Sequence, residues 1–245
     1  MDDLIYYGLF FLMPFAAFLY ASVGHGGASS YLMILALLGF APEEIRPTAL
    51  ILNMMVSMAS FLNYRKAGEF PTSLFWSLIL FSIPAAYLGG TILLDASIYK
   101  KVLGALLIFP ALKFAGVFPI ADKVKIEQAW WMGPLLGILI GFLSGMIGIG
   151  GGIILTPIVL MLGWAGVKET AALSALFIFL NSVAGFLGAS IYELPLKEEL
   201  WVLVPLTVAG GILGAYLGAK RFSVKSLKYL LAFVLLFASI KLIMS

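Results

Sequence analysis

The stretch GIGGGIILTPIVLMLG, residues 148–163, carries four glycines in its first five positions and then ten residues without one before Gly163. A glycine in a helix interior costs about 1 kcal/mol relative to alanine and permits positive φ. Adjacent glycines at 150, 151 and 152 point in all directions around a helix, so they cannot serve a single packing face, and the run reads as a break in a helix. The segment after the break is short, since residues 153–163 make about 17 Å of helix at 1.5 Å per residue, roughly half of a bilayer core. Broken helices are tolerated in lipid only where the freed backbone lines a cavity or is buried in protein. The stretch therefore predicts a half-helix that starts inside a membrane.

The surrounding composition supports a membrane setting. Of 245 residues, 62% are hydrophobic and 11% charged, with a mean hydropathy of +1.10. Uncharged runs cover residues 4–42, 47–64, 70–94, 129–167, 170–192 and 200–219, and segments 102–118 and 229–244 tolerate one lysine each. About 20 apolar residues span a bilayer, so a soluble domain is excluded. The expectation is an all-α polytopic membrane protein with about 8 to 10 hydrophobic segments. Residues 4–20 follow Asp2 and Asp3 rather than a basic region, and are read as structure instead of a signal peptide. The chain has no cysteine, which removes disulfides and thiolate metal sites. A net charge of +3 spread over loops does not make a nucleic-acid surface.

A second copy of the break stands upstream. GHGGASSYLMILALLG, residues 24–39, has the same spacing between its outer glycines, and three further landmarks come in the same order. Trp76 matches Trp201, AYLG at 86–89 recurs at 215–218, and residues 100–109 resemble 228–237, all offset by about 125 to 129 residues. The expected organisation is a first repeat at 1–118, a polar linker at 119–129 containing IADKVKIEQ, and a second repeat at 130–245. Five hydrophobic segments per unit is an odd number, so the repeats are expected to be inverted, an architecture common among secondary transporters, which hold substrate at the repeat interface.

Basic residues accumulate in short cytoplasmic loops. With both termini outside, Arg65, Lys66, Lys123, Lys125, Lys168, Lys220, Arg221, Lys225 and Lys228 fall inside, and the acidic stretches at 2–3, 43–44 and 193–199 fall outside. Lys100 and Lys101 are the exceptions. The expected location is the cytoplasmic membrane.

Two half-helix N-termini in the bilayer, each with unpaired N–H groups and about half a positive charge, would cradle an anion without a lysine. The candidate binding residues are Gly24, His25, Gly26, Gly27, Ala28 and Ser29 in the first break, Gly148, Gly150, Gly151 and Gly152 in the second, and the intramembrane polar residues Asn53, Ser57 and Asn181. Ser29 and Ser30 can cap the first half-helix or touch a ligand; Thr156 is the comparable polar atom in the second, with Pro157 placed in the first helical turn. Each polar residue also has an ordinary reading as an interhelical hydrogen bond, worth only about 0.6 kcal/mol. Thr48, Ser174 and Ser182 belong to the same pair of polar segments. His25, where the second copy has Ile149, is the proton-coupling candidate, against the reading of a neutral histidine bonded to backbone. Arg46, beside Pro47, reads as a solvated loop arginine that can also draw anions to the outer mouth. Two glycine ladders, Gly133, Gly137, Gly141, Gly145 and Gly210, Gly214, Gly218, are read as close helix packing.

With both glycine stretches quoted, the chain resembles the TauE/SafE family, the sulfite exporter or toluene-sulfonate uptake permeases, over essentially its whole length. The first copy departs from a GxGGG pattern, since Ala28 stands where the third glycine would be. The resemblance implies secondary active transport of small sulfur-containing anions such as sulfite or sulfonates. The expected partners are that oxyanion, the bilayer, a coupling proton or sodium ion, and a second copy of the chain in a homodimer, with no cofactor. The residues alone leave open a passive anion channel and a non-transporting membrane subunit. An enzyme is disfavoured: GASS at 27–30 has only His25 near it as a base, and there is no HExxH, Walker A or intramembrane carboxylate pair.

Overall fold

The computed structural model describes residues 3–66, 68–117, 127–191 and 201–220, with Ala232, Leu236, Ser239, Ile240 and residues 242–244 of the C-terminal segment. Residues 119–126 of the expected linker and the acidic stretch at 193–199 lie outside the described residues. Nine helices are labelled here: α1 (Asp3–Ala21), α2 (Ala28–Leu37), α3 (Pro42–Tyr64), α4 (Thr72–Gly90), α5 (Ala96–Phe114), α6 (Met132–Ile147), α7 (Gly152–Met161), α8 (Val167–Ala189) and α9 (Leu203–Lys220). The described residues contain no strand.

Helices α3, α4, α8 and α9 are long and apolar enough to cross a bilayer, whereas α2, α6, α7 and residues 8–21 of α1 are apolar but shorter. The 23 residues of α3 and of α8 reach about 34 Å, enough for a full crossing. Both start with the same device: the Glu44 carboxylate accepts from Ala41 N–H at 3.1 Å, and the Glu169 carboxylate accepts from Gly166 N–H at 2.8 Å. Neither N-cap residue has a side-chain oxygen, so only the glutamate half of a capping box is present, and it satisfies one orphan donor while placing negative charge at the helix start.

The glycine ladders pack as expected. A Cβ at Gly133, Gly137, Gly141 or Gly145 would run into Ser77, Leu78, Ser82 or Ala86 of α4, mostly into backbone carbonyls. One at Gly210, Gly214 or Gly218 would run into Pro14 or Phe18 of α1 or Ser22 just beyond it. In both pairs the numbers rise together, so α6 is parallel to α4 and α9 to α1. Small residues allow this approach, which brings backbones into dispersion contact in the absence of a hydrophobic driving force between helices.

The central pair is α3 and α8, and it runs the other way. Leu50 lies near Gly185, Asn53 bonds Ser182, and Tyr64 packs with Ala171 and Ala172. The third helix of each half is thus antiparallel to its counterpart, the relation that inverted halves require. Large apolar side chains cover the outside, among them Phe11, Leu80, Leu88 and Leu213. Trp76, Trp130, Trp131 and Trp201 are exposed at or near the starts of α4, α6 and α9, where amphipathic rings favour the headgroup level. The chain is a multi-pass α-helical membrane protein.

Candidate functional site

The two breaks occupy residues 22–27 and 148–151, and the short helices after them have ten residues each. Both N-caps are left-handed glycines, Gly27 at φ +93° and Gly151 at φ +77°. Gly24, Gly148 and Gly150 are left-handed as well. Residues at positive φ, two of them adjacent at Gly150 and Gly151, reverse the chain tightly enough to start a helix in mid-membrane, a conformation costly for residues with a Cβ.

Asn53, in the middle of α3 and 1% exposed, joins both breaks. Its Oδ1 accepts from Ala28 N–H at 3.2 Å, and its Nδ2 donates to Ile149 O at 3.4 Å and to Ser182 Oγ at 3.0 Å. A Cβ on Gly26 or on Gly150 would collide with this same amide, and one on Gly152 with Ile178. Gly26, Gly150 and Gly152 are therefore glycine partly because α3 and α8 lie against them. The starts of α2 and α7 face each other across one side chain.

Several carbonyls of the breaks and their flanks are paired with nearby donors. Tyr64 donates to Ser22 O at 2.7 Å, Ser60 to His25 O at 3.5 Å and Tyr31 to Gly26 O at 3.0 Å. Tyr99 donates to Ile147 O at 2.8 Å. The N–H groups of Gly27, Ser29, Gly150, Gly151, Gly152 and Ile153, in contrast, find no acceptor among the described residues. Donors without acceptors, at two helix N-termini, give a positive potential in a region sealed from water, since residues 24–33 and 147–153 are buried. Among the described residues no group of carboxylates, histidines or cysteines could hold a metal.

The remaining predicted residues fall in different places. His25 is 3% exposed, donates from Nδ1 to Val23 O at 3.2 Å, and meets the Tyr20 ring edge-on at 6.5 Å. Ser29 and Ser30 are not caps; they are buried in the first turn of α2 beside the Tyr20 hydroxyl. Ser57 donates to Met54 O and Thr48 to Glu44 O, both on their own helix. Asn181 turns away from the breaks: its amide donates to Phe177 O, and its oxygen accepts from Ser82 of α4 at 2.6 Å. Its neighbour Ser182 is the α8 residue that reaches Asn53. Thr156 donates to Ser174 Oγ at 2.7 Å, an α7–α8 tie. Pro157 is the sixth residue of α7 rather than a first-turn residue, because the helix starts at Gly152.

Arg46 corrects its expected reading. It is 2% exposed and inside α3, not in a solvated loop. Nη1 donates to Ile92 O at 2.8 Å, and Nη2 to Gly90 O and Gly145 O at 3.0 Å each. The carbonyl ends of α4 and α6 carry partial negative charge, which is what draws a cation into the protein here. Ser60 and Tyr64, which the sequence reading passed over, share a face of α3 with Arg46, Asn53 and Ser57. The spacing of these five, seven, four, three and four residues in turn, is the signal that would have found them.

Similarity to other proteins agrees with this architecture. Residues 9–242 match the family described as Sulfite exporter TauE/SafE. A protein of Sinorhizobium fredii described as the probable membrane transporter protein y4hK is 34% identical over 244 residues, covering 96% of this chain and 95% of its own. The Bacillus subtilis probable membrane transporter protein YjnA is 25% identical over 94% of this chain and 96% of its own. A probable membrane transporter protein of Haemophilus influenzae is 24% identical over 89% of this chain and 85% of its own. No solved structure matches. By a family match that spans nearly its whole length, the chain is a membrane transporter of the TauE/SafE family.

Proposed function

We propose that the chain is a secondary active transporter of small oxyanions, sulfite or organosulfonates, which bind between the starts of α2 and α7. The observation that carries this reading is the Asn53 amide, bonded at once to Ala28 N–H and to Ile149 O, with unpaired N–H groups at both helix starts around it. Fixed N–H dipoles at a helix N-terminus recognise anions without a counter-ion. The family's description names sulfite, and its tetrahedral relatives suit a cradle of diverging donors. Burial of both breaks favours a carrier with an occluded site over a continuously open channel. Halves at residues 1–118 and 130–245 rocking against each other about the α3–α8 pair would expose the site alternately to the two sides. The charge distribution favours the cytoplasmic membrane with both termini outside.

The test is Asn53→Asp in proteoliposomes. The substitution is isosteric; its carboxylate can accept from Ala28 N–H and from the Ser182 hydroxyl but gives up the bond to Ile149 O, so it occupies the cradle as a tethered anion at some cost in stability. Saturable sulfite or methanesulfonate uptake in the native protein should be abolished in the variant at every concentration, while the folded protein is retained. Native-like uptake by Asn53→Asp would remove the anion from this site, and unitary currents in the native protein would replace the carrier with a channel.

A further inference from the structure

The cradle makes no use of Arg46, yet among the described residues it is the one buried charged side chain. It lies seven residues from Asn53 on the same face of α3, about 10 Å along the helix. Three backbone carbonyls hold its two terminal nitrogens, and its Nε is buried without an acceptor. A guanidinium is tolerated here because two helix C-termini each contribute about half a negative charge; its hydrogen-bonding capacity is nonetheless incomplete, and an unpaired charged donor in a buried place is costly.

The surroundings show where the spare donor lies. Gly148 opens the second break at φ +90°, and a Cβ built there would stand 3.5 Å from Arg46 Cγ and 3.6 Å from its Cα and Cβ. The arginine stem therefore runs beside the first residue of the break, and Nε is two bonds beyond that Cγ. The corresponding place in the other half, at the offset that relates Glu44 to Glu169, is Ala171, packed on Gly24. One half carries a cation at this position and the other a methyl group.

We propose that Arg46 is a second anion-binding position on the approach to the second break, taking a small oxyanion through Nε–H and a neighbouring Nη–H. The planar fork matches two oxygens of a sulfonate, sulfite or carboxylate and offers less to a halide. The anion replaces one of the three carbonyls at an Nη, so its arrival loosens the hold of Arg46 on the ends of α4 and α6. Because the other half has Ala171, the anion meets this charge on one side of the site only. The inference rests on the anion-transport reading above.

The experiment measures methanesulfonate uptake against concentration in proteoliposomes, with chloride as competitor, for the native protein and for Arg46→Lys, together with thermal unfolding in detergent. Lysine keeps the charge and loses the fork. The expected result is a KM for methanesulfonate raised about tenfold or more, the size of one lost charge-assisted hydrogen bond, stronger relative competition by chloride, and an unfolding midpoint close to native. Arg46→Gln, which removes both the charge and the fork, should raise KM further, and it serves as the readout if the lysine variant does not insert. An unchanged KM with lowered maximal rate or lowered midpoint would make Arg46 a clamp on helix ends and overturn the site alone. Absence of saturable uptake by the native protein would overturn the transport reading and this position with it.

Discussion

Asn53 Nδ2 donates to Ser182 Oγ at 3.0 Å, across the antiparallel pair α3 and α8. Through its oxygen the same amide holds Ala28 N–H at 3.2 Å, so a single side chain connects the two central helices with the start of a half-helix. Buried amides in a bilayer are ordinarily worth little, about 0.6 kcal/mol. This one is different in kind, because its partners include backbone of two segments that have no helix of their own to satisfy them.

Asn53→Leu should therefore destabilise more than a single interhelical hydrogen bond explains. It leaves Ala28 N–H and Ile149 O buried and unpaired, at a cost of about 1–3 kcal/mol, or a fall in unfolding midpoint of several degrees for a chain of this size. Ser182→Ala removes only one partner of the amide and should cost about 0.6 kcal/mol. Thermal unfolding of both variants in detergent checks the difference. Equal, small effects would mean that the amide does not hold the breaks together.

The ladder glycines give a second contrast. A Cβ at Gly145 would fall on the Ala86 carbonyl, whereas one at Gly8 of α1 has nothing within 4 Å. Gly145→Ala should force α6 away from α4 and lower the unfolding midpoint, with loss of folded protein in the membrane fraction. Gly8→Ala gains up to about 1 kcal/mol of helix propensity and should leave yield and midpoint unchanged or raised. A tolerated Gly145→Ala would show that the two helices do not depend on their close approach.

The range of each signal along the chain explains what the sequence revealed and what it hid. The breaks were legible because several glycines in a row have no role in a straight helix, and the half-helix lengths are set by where the next glycine stands. The ladders were legible because their four-residue period is local. Arg46 was misread because its partners, Gly90, Ile92 and Gly145, are 44 to 99 residues away along the chain, and carbonyl groups leave no trace in residue identity. Asn181 and Ser182 are adjacent in sequence, and only the rotation of α8 decides that the serine meets Asn53 while the asparagine meets Ser82. Side-chain type marks a residue as polar, and helix packing alone decides which way it faces.

Thr156 separates packing from binding in the second half-helix. Its hydroxyl is held by Ser174 Oγ at 2.7 Å, which ties α7 to α8. Thr156→Val keeps the shape and removes the bond, so stability should fall by about 0.6 kcal/mol with a slightly lower unfolding midpoint, and KM for methanesulfonate should not change. A KM raised severalfold with an unchanged midpoint would return Thr156 to the binding site.

His25 sets the final prediction, on pH. Its Nδ1 lies 3.2 Å from the Val23 carbonyl, and since a carbonyl only accepts, Nδ1 carries the proton of the neutral ring and Nε2 is the atom that takes a second one. Ser60 donates to the His25 carbonyl at 3.5 Å, which fixes the backbone of the break independently of the imidazole. A proton taken up there would add a positive charge to the first break and favour an anion beside it. If His25 is the coupling group, uptake by the native protein should rise as pH falls from about 8 to about 5. In His25→Gln, which keeps a donor but cannot take up a proton, the profile should flatten while uptake at the alkaline end stays near native. Measuring initial uptake rates from pH 5 to 8 in both proteins decides the matter, and parallel profiles would assign His25 to holding the Val23 turn and leave proton coupling to another group.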